Sequence, residues 1–168
     1  MLILDSNVWI YVATAEEFPV EIYSNELRER LYFFEEFYEG RQRTVLSAYM
    51  LEEIRQGLFR SKRVFEAEIE DILTKLFTLI HSCEDVLVPF NQAQLKDVDL
   101  SEVRGRTDNR LLAQLLDIQA KDVPILSLAY EHRTERPLIL TDDGGFSDLS
   151  PPAVGLPNIT IEGLSLTW

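Results

Sequence analysis

Carboxylates recur where the sequence passes from one predicted element to the next. Asp5 follows the apolar run Leu-Ile-Leu near the start of the chain, and Asp142 and Asp143 follow a second such run and Thr141. A predicted helix after the strand "TVLS" carries two glutamates, and one aspartate precedes the helical stretch "VPILSLAYEH". The acidic candidates are therefore Asp5, Glu52, Glu53, Asp122, Asp142 and Asp143. If the strands are parallel, all four segments present these acids at one edge of a sheet, where ligands of open α/β folds bind.

A cluster of acids needs a reason to stay ionised. Two like charges about 4 Å apart repel by about 4 kcal/mol at an effective dielectric constant near 20, so a cluster without a cation raises its own pKa values. A divalent cation removes this repulsion. Oxygen ligands without histidine or cysteine favour Mg²⁺ or Mn²⁺, which activate water and neutralise phosphate in phosphodiester hydrolysis. The pattern predicts metal-dependent phosphoryl chemistry.

The elements that must position these acids alternate along the chain. Strands are predicted at 2–4, 44–47, 85–90 and 137–143, with an edge strand at 158–164. Helices are predicted from Asn7, capped by Ser6, and over 25–40, 49–59, 66–81, 111–116 and 125–132. Asp122 and Pro124 fit the capping preferences of a helix start. This alternation predicts an α/β fold, with helices on both faces of a parallel sheet in a single domain over 1–168.

Composition restricts the class of protein. Cys83 is the single cysteine, and no apolar run reaches the length of a membrane span or resembles a signal peptide, so we expect a cytoplasmic protein. With 29 acidic and 16 basic residues the net charge is −13, which repels nucleic acid. The lysine-poor usage also suits a salt-rich cytoplasm, since in about 1 M salt the Debye length is roughly 3 Å. An ordinary acidic cytosolic protein fits equally well.

Other chemistries have less support. The two histidines, His81 and His132, stand outside any recognisable Ser–His–Asp pattern. Cys83 has no activating motif, and "DDGGF" lacks the lysine of a phosphate-binding loop. Nucleotide hydrolysis by a P-loop is therefore not expected.

Four motifs together resemble the PIN (PilT N-terminus) domain family, whose best-known members are VapC-type toxin ribonucleases. They are "LDSNVWI", "LSAYMLEEIRQGL", "KDVPILSLAYEH" and "LILTDDGGF". The resemblance implies a PIN-like three-layer fold with a central, mostly parallel sheet, and a metal-dependent endoribonuclease using Mg²⁺ or Mn²⁺. It implies catalytic roles for Asp5, Glu53, Asp122 and Asp143, with the three aspartates as metal ligands. Supporting roles fall to Asn7, Thr141, Asp142 and Glu52.

Several alternatives stay open. Asp108 and Asp117 compete with Asp122 for the third acid, although the local pattern favours Asp122. The resemblance favours a toxin component. A housekeeping RNA-processing nuclease and a non-catalytic interaction module are the rivals.

Basic residues in two short segments are candidates for holding RNA phosphates. Those named as RNA-binding are Arg55, Arg60, Lys62, Arg63, Arg104 and Arg106, with Arg110 beside them. For either cluster taken alone, pairing with the abundant surface acids is the simpler interpretation. The resemblance also implies a small antitoxin partner, which could bind near Phe33, Phe34 or Phe37, and it allows a homodimer. No membrane partner is expected.

Overall fold

The structure is a computed structural model that describes residues 1–14, 43–60, 66–82 and 86–164. Within them five strands form one parallel sheet. The strands are β1 (Leu2–Leu4), β2 (Thr44–Val45), β3 (Val86–Leu87), β4 (Leu138–Thr141) and β5 (Thr160–Gly163). The helices are α1 (Ser6–Thr14), α2 (Ala48–Arg60), α3 (Glu66–Ser82), α4 (Gln92–Lys96), α5 (Leu100–Gly105), α6 (Thr107–Leu116), α7 (Val123–Glu131) and α8 (Gly144–Ser147). The predicted α/β class and parallel sheet are confirmed.

The order of the strands places a switch point beside β1. The sheet order is β3-β2-β1-β4-β5, so the chain adds strands first on one side of β1 and later on the other. Such a reversal opens a crevice outside the carboxyl ends of the two central strands, and ligands bind there in open α/β sheets. Asp5 follows β1 directly, and its backbone N–H donates to the Leu140 carbonyl of β4 at 2.9 Å.

The core lies around the central strands. Leu2, Ile3 and Leu4 are all buried, as expected of a strand covered on both sides. Helices α1 and α2 approach closely, because a Cβ atom added to Gly57 would lie 2.8 Å from Ile10 Cδ1. A glycine at this position therefore allows the helix that carries Glu53 to pack against the helix that follows Asp5.

Some predicted boundaries are wrong for local reasons. Ser6 is the first residue of α1 and not its cap, since the Asp5 carbonyl accepts the Trp9 N–H at 3.0 Å. The second strand ends at Val45, because Ser47 Oγ accepts the Met50 N–H at 3.2 Å at the start of α2. Helices α4, α5 and α8 were not predicted, since each is too short for an apolar period.

Parts of the sequence prediction fall outside the described residues. These are the helix over 25–40 with Phe33, Phe34 and Phe37, together with Cys83, Lys62 and Arg63. Among the described helices, none combines the length and apolar character needed to cross a membrane.

Candidate functional site

Three of the predicted acids meet at the switch point. Asp5, Glu53 and Asp122 line a single cleft of about 90 Å³, together with Asn7 and Lys121. They come from the end of β1, the middle of α2 and the start of α7. The sheet and its two adjoining helices thus bring together carboxylates that are distant in the chain.

Asp5 is held by neutral donors. Its Oδ2 accepts the Thr141 hydroxyl at 2.6 Å, and its Oδ1 accepts the Ser6 N–H at 2.6 Å. Only 4% of the residue is exposed, and burial raises the pKa of this carboxyl although both hydrogen bonds lower it. The nearby charge of Glu53 raises the pKa further. Among the described residues, the hydrogen bonds to Asp5 come from neutral groups and not from a cationic side chain.

Asp122 is not a conventional helix cap, contrary to the prediction from local sequence. It stands before α7 with helical backbone angles, and its side chain makes no capping hydrogen bond. Its Oδ2 instead accepts the Gln119 N–H at 3.2 Å. Burial raises the pKa of Asp122 to about 7, and the charges of Asp143 and Asp5 add to this while Lys121 opposes it.

Glu53 is fixed by three side chains. Oε1 accepts Arg104 Nη2 at 2.6 Å and lies 3.0 Å from the Tyr49 hydroxyl, while Oε2 accepts the Ser6 hydroxyl at 2.7 Å. The Tyr49 oxygen also accepts Arg104 Nε at 2.9 Å. Burial raises the pKa of Tyr49 above its ordinary value, so this hydroxyl keeps its proton and can donate. These contacts orient the Glu53 carboxylate toward the cleft.

Asp143 has two structural roles in the same neighbourhood. Its Oδ1 accepts the Gly145 and Phe146 N–H groups at 3.0 and 3.3 Å, which caps α8. Its Oδ2 lies 2.6 Å from Lys121 Nζ and 3.3 Å from Gln119 Nε2. Burial alone would raise the pKa of Asp143, but the Lys121 ammonium and the backbone donors hold it below its ordinary value.

The predicted supporting residues occupy different positions. Thr141 is buried, and its Oγ1 accepts the Asp143 N–H at 3.0 Å while donating to Asp5, so it links two of the acids. Asn7 lines the cleft and is exposed. Glu52 accepts Arg55 at 2.6 and 2.7 Å, and it does not line the cleft. Asp142 is partly exposed and lies beside the site without lining this cleft.

The competing aspartates lie elsewhere. Asp117 is exposed and ends α6 in the left-handed conformation, with φ at 55°. Asp108 is exposed in the first turn of α6, where its Oδ1 accepts the Asn109 N–H at 3.0 Å. Of the three alternatives for the third acid, the structure places only Asp122 in the cleft with Asp5 and Glu53.

The described basic candidates separate into two groups. Arg60 and Arg104 line the cleft, whereas Arg55 forms a salt bridge with Glu52 at 2.6 Å. Arg106 is exposed and lies 3.6 Å from Glu102, and Arg110 is exposed on α6. Lys62 and Arg63 lie outside the described residues.

Sequence reasoning missed two residues of the site. Lys121 directly precedes Asp122, so its proximity could have been inferred from that adjacency. Tyr49 stands four residues before Glu53 in α2, a spacing that places two side chains on one face of a helix. Arg104 was proposed for RNA binding, but its contact with Glu53 spans 51 residues and has no local signal.

Comparisons with known proteins identify the fold. No family model matches the chain, and no curated protein matches it either. Among solved structures, a chain from VapBC2 of Rickettsia felis bound to a DNA fragment from their promoter aligns with a TM-score of 0.51 and 18% identity, covering 96% of this chain and 97% of that one. The chain has a PIN-like fold. A chain of DNA-bound VapBC from Salmonella typhimurium aligns with a TM-score of 0.49 and 21% identity, covering 98% of both chains.

The donor set of this PIN-like site suits a hydrated Mg²⁺ or Mn²⁺ ion at two carboxylates. In the described part of the chain, no group of three or more Asp, Glu, His or Cys side chains is arranged to hold a metal ion. Asp5 and Asp122 are nevertheless buried and line one cleft, and burial raises the pKa of both carboxyls, so a cation there would stabilise their charged forms. Mg²⁺ commonly uses one or two protein carboxylates and keeps several waters. The pair therefore fits such an ion.

Proposed function

We propose that this PIN-like chain is a Mg²⁺- or Mn²⁺-dependent endoribonuclease and the toxin component of a toxin–antitoxin pair. The observation that carries the proposal is the convergence of Asp5 and Asp122 at the switch point of the sheet. Both are buried, and within the described part of the chain neither accepts a hydrogen bond from a cationic side chain. Keeping two carboxylates together in this way costs stability, which is typical of a cation-binding site.

The residues of the cleft have separate roles in this proposal. Asp5 and Asp122 hold the metal, and Thr141 and Ser6 fix the two oxygens of Asp5. When bound, the metal supplies an activated water and neutralises charge on the phosphate that is attacked. Glu53, oriented by Arg104 and Tyr49, would serve as the proton acceptor of the reaction. Asp143 would add a third ligand through Oδ2, the oxygen that accepts Lys121 in this structure.

The shape of the cleft supports an extended polyanion as substrate. A second pocket of about 280 Å³ adjoins the cleft, and the two share Gln56, Arg60, Leu100 and Arg104 as lining residues. Arg60 therefore stands where a strand leaving the acids would pass, whereas Nε and Nη2 of Arg104 already donate to Tyr49 and Glu53. Guanidinium groups bind phosphate through paired hydrogen bonds, which suits a nucleic-acid backbone.

A protein partner belongs to the same proposal. The Rickettsia felis structure with the same fold contains VapBC2, and the sequence motifs resemble VapC-type toxins. A housekeeping nuclease would share the acidic cleft but would need no inhibitory protein. Co-purification with a small protein encoded beside this chain would therefore favour the toxin role over RNA processing.

The substitution Asp5→Asn tests the metal and the chemistry together. Asparagine preserves size but removes the anionic charge, so we expect the Mn²⁺ affinity measured by calorimetry and the cleavage of defined RNAs to fall together. In chelator, the melting temperature should stay the same or rise, because the repulsion between residue 5 and Asp122 is relieved. The matched control is Asp117→Asn, since Asp117 is exposed, outside the cleft, and in a conformation that asparagine tolerates.

A different outcome would contradict the metal-binding role of Asp5. If Asp5→Asn unfolds the protein while its folded fraction cleaves RNA normally, Asp5 serves only to join β1 to α1. Absence of both Mn²⁺ binding and cleavage in the wild-type protein would instead favour a non-catalytic interaction module.

A further inference from the structure

Lys121 brings a positive charge into the acidic cleft. Its Nζ lies 2.6 Å from Asp143 Oδ2, and the residue lines the cleft with Asp5 and Asp122. About a third of the side chain is exposed, so it is accessible from the cleft and not locked into the core. No local rule of helix or strand formation requires a lysine here, because Lys121 lies in the turn before α7.

The hydrogen bonds of Asp143 leave one oxygen for a cation. Oδ1 is used by the Gly145 and Phe146 N–H groups that it caps, whereas Oδ2 faces Lys121 and Gln119. A metal ion that used Asp143 would need Oδ2. The ammonium group of Lys121 and a divalent cation therefore compete for the same atom.

The backbone and side chain of Lys121 are held differently. Its carbonyl oxygen lies 3.1 Å from the Tyr49 hydroxyl and is an alternative acceptor, beside Glu53 Oε1, for the single proton of that hydroxyl. Its side chain has Asp143 as its hydrogen-bond partner among the described residues. The ammonium group can thus leave Asp143 by rotation of a four-carbon stem, without displacing the turn that carries Asp122.

We propose that Lys121 competes with the metal ion for Asp143 Oδ2. By holding this oxygen, the lysine lowers the affinity of the site for divalent cations. The inference rests on the proposed metal site and adds a residue that sets how much cation the site requires. Loss of the lysine charge removes both the competing hydrogen bond and a repulsive positive charge. Each effect strengthens cation binding.

The test is a calorimetric Mn²⁺ titration of the full chain and four variants. Lys121→Gln and Lys121→Met remove the charge, and we expect about tenfold or greater tightening of the Mn²⁺ dissociation constant in both. Lys121→Arg keeps the charge and should bind no tighter than wild type. Lys96→Gln removes the same charge from an exposed position outside the cleft and should match wild type.

A double substitution separates the competition from a general effect of charge. In an Asp143→Asn background the oxygen under competition is gone, so Lys121→Gln should tighten Mn²⁺ binding less than it does in wild type. An equal effect in both backgrounds would overturn the assignment to Asp143 Oδ2.

The remaining outcomes distinguish this inference from the proposed function. If Lys121→Gln and Lys121→Met fold, as judged by circular dichroism, but bind Mn²⁺ no more tightly than wild type, the competition is wrong and the metal site stands. If wild type and both neutral variants bind no Mn²⁺, the metal site and the competition are both wrong. Tightening in the neutral variants alone, with Lys96→Gln unchanged, supports the inference.

Discussion

The four acids of the site differ in what balances their charge. Glu53 and Asp143 each bond to a cationic side chain at 2.6 Å. Asp5 and Asp122 are the more buried members, and their hydrogen bonds come from neutral groups. The unbalanced charge is therefore concentrated on these two, at the ends of segments from opposite halves of the chain.

The raised pKa of Asp122 predicts how stability depends on pH. A carboxyl with a folded pKa of about 7 and an ordinary value of 3.8 is protonated in the folded state when it is already ionised in the unfolded chain. The folded state then binds more protons between these values, so the contribution of Asp122 to stability is present below about pH 4 and is lost as pH rises through 7. We expect Asp122→Asn to gain up to about 4 kcal/mol relative to wild type at pH 8, and little at pH 4.

Urea unfolding in chelator at both pH values measures this difference. Asp108→Asn, an exposed change outside the cleft, is the control for loss of a single charge. A gain of the same size at both pH values would show that Asp122 is not protonated in the folded protein.

The sequence identifies some of these residues better than others. Asp5 and Asp143 are recognisable because each follows an apolar strand, and Asp122 because it precedes a helix. The cationic partners of Glu53 and Asp143 are harder to predict from the sequence, because Arg104 and Lys121 lie 51 and 22 residues away from them. Which hydrogen-bond partner Ser6 takes depends on the packing of α1 against α2, which no local pattern specifies.

At the scale of elements, helix α2 makes different contacts on two of its sides. Glu53 and Gly57 face the cleft, and the glycine admits Ile10 of α1. On another side, Arg55 pairs with Glu52 within the helix.

The existence of this helix could be predicted from its apolar period, whereas its start at Ala48 depends on Ser47. In the sequence, the short helices α4 and α5 are indicated only by their capping residues, Asn91 and Asp99.

The two arginines of α2 provide a matched test of nucleic-acid binding. Arg60 lines the cleft and its Nη2 donates to Gln56 at 2.8 Å, while Arg55 is held by a carboxylate on the same helix. We expect Arg60→Ala to weaken binding of single-stranded RNA severalfold and to reduce its salt slope by about 1, because one phosphate contact is lost. Binding is measured by fluorescence anisotropy at several salt concentrations in chelator, which prevents metal-dependent cleavage.

Arg55→Ala is the control and should leave RNA affinity and its salt slope near the wild-type values. Equal losses in the two variants would indicate a nonspecific effect of net charge. Unchanged affinity in Arg60→Ala would assign Arg60 to the protein surface and remove the second pocket from the path of the RNA.

At the scale of the whole molecule, the net charge of −13 sets a condition for stability. Repulsion among 29 acidic residues opposes the compact state, and added salt screens it. We expect the melting temperature in chelator to rise by about 2–4 °C, equivalent to roughly 1 kcal/mol, between low and high NaCl. Sucrose at matched osmolality is the control, since it does not screen charge. A melting temperature that falls with salt would show that ion pairs such as Arg104–Glu53 outweigh the repulsion.

The position of β1 in the sheet determines when the site can assemble during synthesis of the chain. Strand β1 pairs with β2 at residue 44 and with β4 at residues 138–140, so it is synthesised long before its second neighbour in the sheet. Contacts this distant in sequence form slowly and leave an apolar strand edge open in the meantime. The nascent chain therefore carries its acids in separate, unassembled segments. The cleft is complete only once β4 has been synthesised, because Leu140 and Thr141 of that strand hold Asp5 in place.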